Sequence, residues 1–275
     1  MYKNLIVFGA LGLVCAAFSG QALAAEKTCT NGNVSVLANG DHCFTEPTYY
    51  GITVYEMGLC KGAPTPPTIT TVADTAACEV VFSSAAGALV EVQNGTTSEP
   101  AGTFTRPANG TYTHAYMRLN NTFLIKGSVD FGAAHATITN RYCVASTATT
   151  DNETGANGTC SAVAGATSGL TSTELTDFSG GNQSNTTTYT VGSLTAYLLD
   201  NIQNLADGTG GAETTQAGAG GILGIQQFPS AITITDETTT MDAAITVSKG
   251  MTVSVNGVNT VGFDSGPFVL VLSVQ

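Results

Sequence analysis

Tyr112, His114, Tyr116 and Arg118 stand at alternate positions of the stretch RPANGTYTHAYMRLNNTFLIKG, residues 106–127. In a β-strand these four share one face, while Thr113, Ala115, Met117 and Leu119 share the other. The second set is the natural core face. The first combines two aromatic rings, an imidazole and a guanidinium, the chemistry of a ligand platform. Rings could stack on a glycan while His and Arg bond its hydroxyls. The same row also suits an ordinary half-exposed strand, in which tyrosines pair across neighbours and the arginine stem lies along them. The sequence leaves both readings open.

Oxygen donors form the next candidates. TDNETGANGT at 150–159 places Asp151, Asn152, Glu153 and Asn157 in a loop with two glycines. Hard ligands in a turn suit Ca²⁺, although the spacing is not that of an EF-hand loop. Asp236, Glu237 and Asp242 in TITDETTTMDAA are a sparser group. VGFDSG, containing Asp264, looks like the D-[ST]-G step of aspartic proteases. A working dyad needs a second carboxylate near enough to share a proton, and the step occurs once. Neither H-E-x-x-H nor G-x-S-x-G nor a Gly-rich nucleotide loop is present. The expectation is therefore a non-enzyme with no catalytic residue and no cofactor beyond calcium. A glycosidase pair of carboxylates is the one enzymatic option that 20 acids leave open.

The elements that must position these residues begin after a signal peptide. Lys3 gives a positive n-region, residues 5–18 an apolar core, and Ala22, Leu23 and Ala24 a small-x-small cleavage site, so 1–24 is expected to be removed. The apolar run is short for a membrane span, and no transmembrane segment is expected in the mature chain. Removal takes away Lys3 and no acid, so the net charge of −12 becomes −13. Such a surface repels phosphate backbones, which argues against nucleic acid as a partner.

Cys15 leaves with the signal, and Cys29, Cys43, Cys60, Cys78, Cys143 and Cys160 remain. An even count in an exported chain reads as disulfides, and zinc fails on spacing. Pairing of neighbours is expected, Cys29 with Cys43, Cys60 with Cys78 and Cys143 with Cys160, since each pair brackets one loop.

Short strands with turn residues between them fill 25–146, the expected N-terminal β-sandwich. Residues 147–221, rich in Thr, Gly, Asn and Ser, read as a long loop or linker. Within it Leu194, Leu198, Leu199, Ile202 and Leu205 fall at helical spacing, predicting a helix at 193–206, with a strand and turn as the rival reading. Residues 222–275 return to strands that complete the sandwich or form a second small β unit. The last run, PFVLVLSVQ, is nearly all apolar and must be buried in its own sheet or in a neighbouring molecule, a route to self-association.

The turn and strand PANGTYTHAYMRL resembles a proline, glycine and tyrosine step of extracellular Ig-like, fibronectin-like and transthyretin-like sandwiches. That resemblance implies a tyrosine corner at Tyr112, its hydroxyl returning to nearby backbone. Together with YYGITVYEMGLC the stretch also looks like uncharacterised secreted proteins of marine bacteria, and the likeness covers about residues 45–130. It implies fold and location and carries no activity.

The combined expectation is a mainly β, disulfide-stapled antiparallel sandwich, one large or two smaller, with at most one or two short helices. It is secreted, periplasmic or on the cell surface. Its expected role is that of a non-enzymatic surface, matrix or filament component; an extracellular glycan-binding module is the alternative, and a secreted hydrolase follows behind.

Overall fold

The computed structural model of the protein describes residues 28–29, 42–93, 96–132, 137–146, 158–176, 178, 182–189, 192–201, 203–207, 220–258 and 260–275. Among these, every regular element is a strand. In chain order they are β1 (His42–Thr45), β2 (Tyr49–Cys60), β3 (Cys78–Gln93), β4 (Thr96–Thr97), β5 (Thr103–Phe104) and β6 (Gly110–Lys126). Then follow β7 (Ser128–Asp130), β8 (Tyr142–Ala145), β9 (Gly158–Ser161), β10 (Thr171–Glu174), β11 (Ser184–Tyr189) and β12 (Gly192–Leu199). The last five are β13 (Gly221–Ile234), β14 (Met241–Thr246), β15 (Met251–Gly257), β16 (Thr260–Ser265) and β17 (Val269–Val274).

One antiparallel sheet runs β11-β12-β13-β6-β2-β3-β4, with β10 also on β6 and β5 also on β3, and it curls as a half-barrel. β2 lies between β3 and β6, and its apolar residues enter the main core through Tyr50, Ile52, Val54 and Leu59 and a second apolar cluster through Cys60. The sheet's long strands carry irregularities that bend it. Residues 78–93 form one long strand, with residues 84–87 bulging between the Glu56–Ser83 and Val54–Ala88 pairs. Gly87 sits there at φ +78°, where a Cβ would come within 2.5 Å of Thr53. β6 is interrupted at Asn120, whose side chain accepts the Thr122 amide at 2.8 Å. β13 loops out over 228–231, where Pro229 needs no ladder partner.

Three smaller sheets, β1-β15-β16, β14-β17 and β7-β8-β9, complete the fold. Tyr50, Ile52, Phe82 and Phe123 from the large sheet share one core with Met251, Val253, Phe263 and Leu270. Each such side chain contributes about 1.5–3 kcal/mol of burial, so the layers are held mainly by this seam. Strands of 222–275 sit inside the N-terminal sheets, β13 beside β6 and β15 beside β1. The described part of 147–221 likewise supplies β9 to β12 rather than a plain linker. Its threonines suffice for that: Thr171 and Thr173 bury alternate side chains where β10 pairs β6.

Among the described residues of 193–206 no helix forms. Leu194, Ala196 and Leu198 alternate with Thr195, Tyr197 and Leu199, and the segment pairs along β11 and β13 before turning at Asp200. The uncharged polar side offers a helix no i,i+4 ion pairs, whereas two neighbouring strands satisfy every backbone group.

Three disulfides join Cys29 to Cys43, Cys60 to Cys78 and Cys143 to Cys160. The second and third join residues directly opposed on β2–β3 and β8–β9. The C-terminal strand β17 pairs with β14 along its whole length, and Gln275 and Thr240 exchange backbone bonds at its end. The signal segment 1–24 and the calcium candidates Asp151, Glu153 and Asn157 lie outside the described residues. Among the described residues no helix is long and apolar enough to cross a membrane.

Candidate functional site

The turn ahead of β6 is anchored from several sides. Arg106 donates to the Thr235 carbonyl at 2.6 Å, and Asn109 donates to Asp236 at 2.6 Å. Glu79 accepts from the Ala108 amide at 2.6 Å and from Lys61 at 2.8 Å, and these donors hold its carboxyl below the usual range. The Tyr112 hydroxyl returns to the Ala108 carbonyl at 2.7 Å, while its ring is fully buried in the main core with Met117 and Leu119. The inward face of β6 therefore changes between Thr113 and Ala115, opposite the irregular stretch of β13. Tyr112 is thereby removed from the row it shares in sequence.

His114, Tyr116 and Arg118 remain on the other face and are each the middle of a cross-strand row. The rows are Gln227–His114–Cys60, Ile225–Tyr116–Gly58 and Leu223–Arg118–Glu56. Tyr116 lies across Gly58, on which a Cβ would stand 2.2 Å from the ring. Its hydroxyl donates to Glu56 at 2.6 Å, and burial, reinforced by that carboxylate, pushes the phenol well above its ordinary range. The same Glu56 oxygen lies 3.5 Å from the Arg118 Nε. Arg118 also donates to the Gln203 side chain at 2.7 Å, and Gln203 holds a left-handed φ of 71° to receive it. His114 meets the Thr113 hydroxyl at 2.9 Å, and burial lowers its pKa, favouring the neutral ring.

A glycan platform needs open ring faces, and the structure closes both. Tyr112 faces the core, and Tyr116 is 2% exposed in a second apolar cluster with Cys60, Ala73, Leu199 and Leu223. The residues left at the rim, His114 and Arg118, are already engaged with neighbours. As folded, the row is a structural cross-tie between β2, β6 and the 200–206 turn.

The cover over Tyr116 is the loop 61–77, closed at its base by Cys60–Cys78. Thr65 and Asp74 exchange backbone bonds at 3.0 and 3.1 Å, and Thr68 and Thr71 do so at the tip. The Thr68 hydroxyl also accepts the Thr71 amide at 3.1 Å and meets the Thr71 hydroxyl at 2.6 Å. Leu205 donates to the Thr68 carbonyl at 2.9 Å, docking the loop on the 200–206 turn. This bonded tip holds Ile69 and Val72 outward at 59% and 54% exposure.

On the opposite, core-side face of the large sheet a small cleft of about 40 Å³ opens between the layers. Its lining comes from β2 and β3 (Val54, Met57, Val90), from β14 and β17 (Ala243, Ile245, Leu270) and from Thr97, Ser98, Pro100 and Phe104. Its lining holds no charged group. A water needs about 10–15 Å³ on this measure, so the cleft is a small apolar gap with room for only a few waters.

The remaining carboxylates stay apart. Asp236 caps the 106–111 turn through Asn109, whereas Asp242 sits in β14 opposite Ser273. Among the described residues no group of three or more His, Cys, Asp or Glu side chains is placed to hold a metal. Asp264, half-buried in β16, has its pKa pushed up to about 6. Loss of hydration is the cause, not the repulsion of a second carboxylate that a protease dyad requires. No protein-family model, curated protein or solved structure matches the chain.

Proposed function

We propose that the protein is an exported, non-enzymatic structural component of a cell surface, matrix or filament. The observation that carries this reading is where charge is missing. Residues 64–72, 162–170 and the strand β11 are largely exposed, and none contains an acidic or basic side chain. They present hydroxyls with isolated apolar residues such as Ile69 and Val163. Bringing such uncharged surfaces together forfeits less hydration than burying charges would, whereas acids elsewhere keep the rest of the molecule apart. The leader-like N-terminus and three disulfides suit an oxidising compartment.

Assembly through rigid faces is favoured over exchange of the terminal strand. β17 already has β14 as its partner, and the buried Gln226 side chain donates to its Leu270 carbonyl at 2.8 Å. A glycan-binding role would require the 61–77 cover to leave Tyr116, against the disulfide and the bonds to residue 205. The test is light scattering and electron microscopy of the oxidised mature chain over a range of concentration and salt. Assemblies should grow with both. A monodisperse monomer at high concentration and moderate salt would end this reading.

A further inference from the structure

We infer that the Cys60–Cys78 disulfide is a redox latch, whose reduction releases the loop 61–77 and uncovers the apolar face around Tyr116. Its place in the fold sets it apart from the other two bonds. Cys43 and Cys143 are buried in the main core, with Cys29 and Cys160 packed against it, so those bonds are set into the seam that joins the layers. Cys60 and Cys78 belong instead to the smaller cluster with Tyr116, Leu199, Leu223 and Ile225. Opening this bond leaves the main seam in place. Cys60 is fully buried, but Cys78 is half-buried and follows the exposed Ala76 and Ala77, so a thiolate reaches the bond from the Cys78 side.

The loop has little else to hold it. Within 61–77 only Pro64, Pro67 and Ala73 are buried. Its inner bonds are the Thr65–Asp74 and Thr68–Thr71 pairs, and a hairpin of that size is marginal by itself. Backbone docking on the 200–206 turn consists of the Leu205 amide on the Thr68 carbonyl and a bridge between Val72 and Asn204. Ordering so long a segment costs entropy at every residue, and the disulfide removes most of that cost by joining its ends. Yet the loop hides far larger side chains than it inserts: Tyr116, Leu223 and Ile225 are 2%, 0% and 9% exposed beneath it. Release therefore turns a covered apolar patch, rimmed by His114 and Arg118, into an open one.

A dithiol reductant supplies the two electrons. One of its thiolates attacks the Cys78 sulfur, the S–S bond breaks, and Cys60 leaves as a thiolate that takes up a proton. The second thiolate of the reductant then displaces Cys78 from the mixed disulfide. The reductant departs as a disulfide and both cysteines remain as thiols.

Titration of the oxidised mature chain with dithiothreitol, followed by thiol mapping, hydrogen exchange and Nile red fluorescence, tests the latch. Cys60 and Cys78 should be the first pair to appear as free thiols. Amides 65, 71, 74 and 205 should then exchange roughly 100-fold faster, the factor that freeing a loop of this length implies. The dye should bind, amides 251–255 should keep their protection, and reoxidation should reverse every change. Replacing Cys60 and Cys78 together by Ala should give the dye-binding form without reductant; should that variant fail to fold, the titration of the wild type decides alone. Reduction of another pair first, unchanged protection at 65, 71, 74 and 205, absence of dye binding, or loss of protection at 251–255 together with the loop would each overturn the inference.

Discussion

Replacing Asp264 by Asn should stabilise the protein at neutral pH and flatten its stability profile in acid. Asp264 is half-buried in β16, and its pKa rises from 3.8 to about 6 because the ionised form loses hydration. Between those values the folded chain holds a proton that the unfolded chain has released. Stability must then fall as pH rises through the window from about 4 to about 6, and above it the full cost of burying the charge is present. At 1.36 kcal/mol per unit, a rise of this size corresponds to at most about 3 kcal/mol; residual contact with water brings the expected figure to about 1.5–3 kcal/mol. Asparagine keeps the shape without the charge. Urea unfolding of the oxidised mature chain at a series of pH values from 4 to 8 measures the effect. The profile of wild type minus variant isolates Asp264 from His114, whose lowered pKa gives the opposite slope in both proteins. A variant equal to or less stable than wild type at pH 7.5, with the acid slope unchanged, would refute the reasoning.

Gly58→Ala should cost about 2–3 kcal/mol in the same unfolding assay, because its Cβ would stand 2.2 Å from the Tyr116 ring. The cost should shrink in a Tyr116→Leu background, and strict additivity would contradict the packing described here. Tyr112→Phe removes the hydroxyl bond to Ala108 and should lower stability by about 1 kcal/mol, with no change in the far-UV spectrum. Replacing both Cys60 and Cys78 by Ser should cost about 3 kcal/mol on the chain-entropy account. It should also speed amide exchange of 65, 71 and 74; unchanged protection there would show that the backbone bonds alone hold the loop.

The β class and the short-range cysteine pairs were legible because both are local: turn residues between alternating runs, and cysteines bracketing single loops. Cys60 and Cys78, for example, end up directly opposed on adjacent strands. Irregularities were not legible. The loop-out at 228–231 and the face change between Thr113 and Ala115 depend on which strand lies alongside, so alternation alone placed Tyr112 beside Tyr116 when the fold puts them on opposite faces. The 193–206 segment shows the same limit, since its leucines satisfy a helical and an alternating pattern together and only β11 and β13 decide between them. Nor could spacing reveal the cross-tie of Glu56, Arg118 and Gln203, which come from three distant segments. The one signal available was the sequence of the loop 61–77 between its two cysteines: a proline- and threonine-rich run with Ile69 and Val72 as its only large apolar residues.

The most direct test is sedimentation velocity and electron microscopy of the oxidised mature chain over a range of concentration and salt. Assemblies that grow with both are predicted, because uncharged faces meet while the acids elsewhere repel less in salt. A monodisperse monomer at high concentration and moderate salt would contradict the account.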